Sequence, residues 1–250
     1  MTEAARRTGS TGKNIAIAVL ALLVVVLLLV LTLNPPGGSA SSEPADGGNT
    51  AAEGTAQPTM DPETEQFLLS LAHRLEDDPM AKGAVDAPVA MVEWADFQCG
   101  YCNQWAFETM PQLQPLVDDG TLRIEYRDLT LFGEESVMAA AAARAAGEQG
   151  LFWEYHDALH AVLHGRDDLG VSDDLLMVVA EAVGVADMER FDADRTAEAV
   201  RRVILDQSGM AQQMGISSTP TFLVGTQLIQ GAQPVAVFEQ AIEQQLEASR

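Results

Sequence analysis

The two cysteines of this 250-residue chain, Cys99 and Cys102, stand three positions apart. A Cys-x-x-Cys pair can exchange electrons as a dithiol and a disulfide, or supply half of a four-ligand zinc site. A structural bridge is a weak third reading. Closing so short a loop stabilises a fold by only about 2 kcal/mol, and no other cysteine is present to build a framework. A strand-like run, Val89–Phe97, precedes the pair, and a helix-like run, Cys99–Val117, follows it. The first sulfur then sits at a helix N-terminus, where unpaired N–H groups and the dipole favour an anion. The thiolate is the reactive nucleophile, so Cys99 is the attacking group. A downward shift of two pKa units there would favour the thiolate by about 2.7 kcal/mol. Cys102, one turn on and more buried, would resolve a mixed disulfide. Gly100 permits a tight turn. Tyr101 tunes the site through its ring and hydroxyl but brings no positive charge.

A zinc site would need further ligands, and the histidines are His73, His156, His160 and His164. The last three recur at helical spacing in FWEYHDALHAVLH, and such histidines can share a metal. Their commoner fate is a helix surface or a capped helix end, so no metal is expected. Met210 and Met214 are expected to fill core rather than line a substrate groove. Met138 and the alanine run to Ala146 should let helices pack closely.

Two flanking features set the context. The formal charge is −23, which disfavours nucleic acid as a partner. Ile15–Leu33 is an apolar run of nineteen residues without a charge. As a helix it would rise roughly 29 Å, close to the thickness of a bilayer's hydrocarbon. Arg6, Arg7 and Lys13 place residues 1–14 in the cytoplasm and everything after Leu33 outside, giving a single-pass cell-membrane protein. A cleavable signal peptide is the alternative, with Gly38-Ser39-Ala40 as its cleavage site. Residues 34–60 are rich in Gly, Ser, Pro, Ala and Thr and read as a disordered linker, with a reach of roughly 30 Å.

The folded domain is expected over 61–250, with a mixed α/β pattern. Asp61-Pro62-Glu63 starts a helix whose apolar residues are Phe67, Leu68, Leu71 and Leu75. It either packs on the domain or forms a short stalk. Leu122–Arg127 alternates as a second strand. Helical signal runs over about 134–213, broken by Gly150, Gly165, Gly170 and Gly184. Thr221–Val224 and Gln227–Ile229 read as short strands around Gly225, and Val235–Leu246 as a closing amphipathic helix. Glu93 and Asp96 are two acids near the motif. On a strand they point to opposite faces, so only one lies beneath it. Trp94, Phe97, Tyr101 and Trp105 could form an apolar surface around the sulfur, with core packing the default for Trp94 and Phe97.

VEWADFQCGYC, followed far downstream by STPTF, resembles the DsbA-type branch of the thioredoxin superfamily. Four ordered blocks carry the resemblance from about Lys82 to Gln245: DAPVAMVEWADFQCGYC, IEYRDLTL, AARAAGEQGLFWEYHDAL and GISSTPTFLVGTQLIQGAQP. It implies a thioredoxin-like fold with a helical insertion after the second strand, and a protein disulfide oxidoreductase that needs no cofactor. By position, Cys99 attacks and Cys102 resolves. Thr219-Pro220 matches the cis-proline loop beside the sulfur, where the Thr219 backbone would pair with a substrate strand. Glu93 matches a buried acid that relays protons to Cys102. The resemblance also implies exported thiol proteins as substrates and a membrane partner of the DsbB or VKOR type. The chain departs from strong oxidants at Gly100-Tyr101, where they carry proline or histidine. Gly-Tyr with Thr before the proline is closer to the disulfide isomerases, which dimerise through an additional N-terminal domain. Oxidase, isomerase or reductase, and a non-catalytic peptide-binding module with a redox switch all remain open on the residues alone.

Overall fold

The computed structural model describes residues 60–166 and 170–248. Its centre is a five-stranded mixed sheet of β1 (Ala81–Lys82), β2 (Val89–Ala95), β3 (Leu122–Asp128), β4 (Thr221–Val224) and β5 (Gln227–Gln230), in the order β1-β3-β2-β4-β5. β2 and β3 run parallel, and every other pairing is antiparallel. A parallel pair needs a crossover, and here it is α2 (Gly100–Gln104), a π turn (Trp105–Thr109) and α3 (Met110–Asp118). β2 and β3 are buried along their whole length; β2 is a near-continuous apolar run, whereas the charged residues of β3, Arg123, Glu125, Arg127 and Asp128, are buried in ion pairs.

The period-two alternation of a strand divides the core. Val89, Met91, Leu122, Ile124, Phe222 and Val224 face Trp105, Leu113 and the closing helix α9 (Val235–Ala248). On the other face Val92, Trp94 and Leu223 pack with Ala211, Ile216, Leu68 and Leu71. The helix α1 (Pro62–Ser70) therefore lies on the domain and does not form a stalk. Its cap is as the sequence indicates, the Asp61 carboxylate accepting from the Thr64 N–H at 2.9 Å. Phe67 stays exposed on the helix, and Leu75 lies beyond the helix end and is exposed as well.

The expected insertion comprises α4 (Glu134–Gly147), α5 (Phe152–Leu163), α6 (Asp173–Ala182), α7 (Met188–Arg195) and α8 (Glu198–Gln213). α4 is its hub, with seven alanines between 139 and 146 buried, so neighbouring backbones approach closely. Gly184, at φ +83°, ends α6 with the paired N–H bonds of a left-handed cap, Val185 to Ala180 and Gly184 to Glu181. The sequence suggests one helix from Cys99 to Val117, but a π turn interrupts it. Pro111 has no N–H to give the carbonyl four residues back, and Met110 bonds five back to Trp105 instead. Among the described residues no helix is long and apolar enough to cross a membrane. The apolar run 15–33 and nearly all of the linker lie outside the described residues.

Candidate active site

The site begins with a turn. Asp96, the residue after β2, is buried, and its carboxylate accepts from the N–H groups of Gln98 at 2.9 Å and Leu131 at 2.7 Å. Its carbonyl accepts from the Cys99 N–H at 3.0 Å. This side-chain-to-backbone turn carries the chain from strand to helix. It also explains Asp96: the acid weighed against Glu93 builds the loop. Gly100 is the first residue of α2 and adopts no left-handed backbone, so the turn does not depend on it as the sequence suggested.

Cys99 is the N-cap of α2, with φ −82° and ψ 117°, and no side-chain oxygen takes that place. Its thiol donates to the Thr219 carbonyl at 3.2 Å. The Thr219–Pro220 peptide is cis, and Pro220 leads directly into β4, which pairs Thr221 with Trp94 beside the motif. The cysteines are unbridged thiols, Cys99 with 5% of its surface exposed and Cys102 with 1%. Both are buried, Cys99 the less completely.

Their proton affinities diverge. The Cys99 thiol is pulled down to about 6, first by a hydrogen bond with Cys102, against the cost of burial. The Thr219 side chain and the N–H groups of Cys102 and Tyr101 add to this. Burial pushes Cys102 well up, reinforced by its bond to Cys99 and by the Cys99 charge. At neutral pH Cys99 is therefore mostly thiolate, while Cys102 keeps the proton that it donates to that anion. A nucleophilic, good-leaving sulfur beside a protonated partner is the arrangement thiol–disulfide exchange requires.

A family profile described as thioredoxin matches residues 76–244. The chain belongs to the thioredoxin family. A probable disulfide bond formation protein D of Bacillus cereus is 27% identical over 150 residues, 58% of this chain and 69% of that protein. A Na(+)/H(+) antiporter NhaA 3 of Salinispora tropica is 40% identical over 153 residues, 59% of this chain but 22% of the antiporter. The crystal structure of oxidised BdbD from Bacillus subtilis superposes with a TM-score of 0.63 at 24% identity, covering 67% of this chain and 92% of that one. Within the family this is a DsbA-type thiol–disulfide oxidoreductase.

Glu93 lies in the middle of β2 with 1% exposure, and its Oε2 has no hydrogen-bond partner. Burial pushes its carboxyl up to about 7, while the Trp105 indole and the Lys82 charge oppose the rise. The Glu93 charge also contributes to the upward push on Cys102, so the two groups feel each other. Lys82, on β1, was not singled out from sequence. It is half-buried, sits 4.3 Å over the Trp153 ring and donates to the Met110 sulfur at 3.5 Å. Nothing in the local pattern of AKG signals this; only the β1–β3 pairing brings it in.

The apolar surface differs from the expected one. Trp94 and Phe97 are core, as their default indicated, but Trp105 is core as well, at 0% exposure. The exposed aromatics are Tyr101, Phe107 on the π turn and Phe132 on the loop that Asp96 holds. Tyr101 acts on Cys99 through its backbone N–H, and its ring faces solvent.

The histidines form a seam between motif and insertion. His160 Nδ1 lies 2.5 Å from Asn103 Oδ1, next to Cys102, and its ring stacks on Phe97 at 4.8 Å. His156 is buried among Phe97, Tyr126 and Phe152 and hydrogen-bonds Asp157 at 2.8 Å. Burial lowers the proton affinity of both, so neither supplies a positive charge to Cys99. His164 stacks on Phe107. No group of three or more His, Cys, Asp or Glu side chains arranged for a metal occurs among the described residues.

Proposed function

We propose that this protein is an extracytoplasmic oxidase that introduces disulfides into exported proteins. The observation that carries the reading is the split between the two sulfurs, with Cys99 held near 6 and Cys102 well above the thiol norm. A substrate thiolate attacks Cys99, the Cys99–Cys102 bond breaks, and the electron pair leaves on Cys102. That sulfur must take up a proton, and Glu93, protonated near neutrality, is the group placed to give it. A second substrate thiolate then attacks the substrate sulfur of the mixed disulfide, and Cys99 departs as a stable anion. Because the reduced form is stabilised by that anion, the disulfide is oxidising. Thr219, half-buried beside the sulfur, would offer its backbone to an extended substrate strand.

The sequence supports the surroundings. Residues 1–14 would be cytoplasmic, 15–33 would span the membrane, and 34–60 would tether the domain of 61–250 near a DsbB- or VKOR-type partner that reoxidises it. The reduction potential of the cysteine pair tests the direction. A value near that of glutathione or above supports the oxidase, and one as low as cytosolic reductants assigns the chain to reduction or isomerisation. Retention of biological activity by Cys99→Ser would instead mark a binding module. A reporter fused after Arg250 that is active only outside the cytoplasm would support the topology.

A further inference from the structure

The sheet face opposite Glu93 carries a groove of about 170 Å³ between α1 and α8. Leu71, His73, Trp94, Arg127, Met210 and Met214 line it. Core filling was the expectation for the two methionines, yet Met210 is 61% exposed and Met214 39%. They are four residues apart at the end of α8, so their side chains share one face. The Met214 N–H bonds the carbonyls of Met210 and Ala211, which fixes that last turn. His73 approaches from the opposite wall. Its backbone N–H is held by the buried Glu125 carboxylate at 2.9 Å, so the segment carrying the imidazole is anchored. The indole of Trp94 adds an aromatic wall.

We propose that His73, Met210 and Met214 form a Cu(I)-binding site. Two thioethers and one imidazole are a soft donor set, and no carboxylate lines the groove. Hard cations need oxygen donors, and zinc takes thiolate, imidazole or carboxylate, whereas thioethers select Cu(I). An aromatic face beside the ion adds cation–π attraction. The one cation in the groove, Arg127, is already neutralised by Glu125 at 2.6 Å and Asp78 at 3.3 Å. The site is independent of the thiol chemistry, because its donors lie outside the Cys99–Cys102 motif.

The test uses the full-length chain in mild detergent with the cysteines replaced, Cys99→Ser with Cys102→Ser, so that thiols cannot bind the metal. Cu(I) is supplied anaerobically as its bicinchoninate complex, whose colour is lost on transfer. The expected result is transfer of one equivalent, weakened about tenfold or more by Met210→Leu or His73→Gln and abolished in the triple variant with Met214→Leu. Zn(II) should not compete. The triple variant with its cysteines restored should keep its exchange rate, which shows an intact fold. Failure of the protein to take Cu(I) from the chelator, or unchanged uptake by the triple variant, overturns the proposal.

Discussion

Two glutamates lie fully buried on neighbouring central strands and have opposite fates. Glu93 of β2 pairs with Tyr126 of β3, and Glu125 of β3 pairs with Val92 of β2. Glu125 accepts from Arg123 at 2.9 Å, Arg127 at 2.6 Å, and the N–H groups of His73 at 2.9 Å and Arg74 at 2.8 Å. Burial pushes its carboxyl up, but these four donors outweigh burial and hold it below the ordinary value. Glu93 has one oxygen with no partner, and burial prevails. One buried acid is thus an anion that fixes His73 and Arg74 to the sheet, and the other a carboxyl that titrates near neutrality. Glu93 lies deeper and has fewer partners than Glu125, and both differences raise its proton affinity relative to Glu125.

The sharpest separation of the two regions comes from the sulfur itself. Cys99→Ser should reduce thiol–disulfide exchange to background while leaving the urea midpoint of the reduced protein nearly unchanged at pH 5, where the thiolate contributes little. Cys102→Ser should leave substrate trapped on Cys99, visible as a mixed disulfide on a non-reducing gel. Glu125→Ala should do the reverse. Stranding two buried guanidinium groups costs about 3–5 kcal/mol in denaturant unfolding, with the Cys99 thiolate absorbance still titrating near 6.

Glu93→Gln should slow exchange and flatten the pH–rate profile near 7. Its stability effect has a definite sign. The folded carboxyl sits at about 7 against a model value of 4.5, so the native state favours the protonated form. That contribution is fully present below about 4.5 and is lost as pH rises through 7. The glutamine variant should therefore match the parent at pH 4 and exceed it at pH 8, by about 3 kcal/mol at most. Cys99 works oppositely. Its folded value of about 6 lies below the model value of 9.0. The thiolate therefore stabilises the reduced fold fully above 9 and loses that effect as pH falls through 6. The margin by which the reduced protein outlasts the oxidised one in thermal melts should shrink between pH 8 and pH 5. The smallest effect expected is from Thr219→Val, which removes the hydroxyl beside the sulfur and should raise the Cys99 value by a fraction of a unit in a 240 nm titration.

Much of this was legible in the chain. Cys-x-x-Cys between a β-rich run and an amphipathic one gave the N-cap sulfur, since both patterns are local. The helical insertion could be read from its continuous helical signal and glycine breaks, and the Asp61 cap from three adjacent residues. Strand alternation sets Glu93 and Asp96 apart and the family resemblance favours Glu93; in the structure Glu93 lies within β2, while Asp96 follows the strand and holds the loop. What local pattern could not supply was the company each residue keeps. The π turn depends on Pro111 acting on a carbonyl one turn away. Trp105, which reads as a surface aromatic beside the motif, disappears under Phe222 and Phe238 at 4.4 Å.

From the sequence alone come the chemistry available and the order of the elements, because residue type, period and capping act within a few positions. Only the tertiary structure brings Thr219 to Cys99 across 120 residues. It also leaves Glu93 short of partners while giving Glu125 four, and turns two methionines and a histidine toward one groove. Proton affinity and metal preference depend on neighbours in space, and chain closure, not residue type, chooses those neighbours.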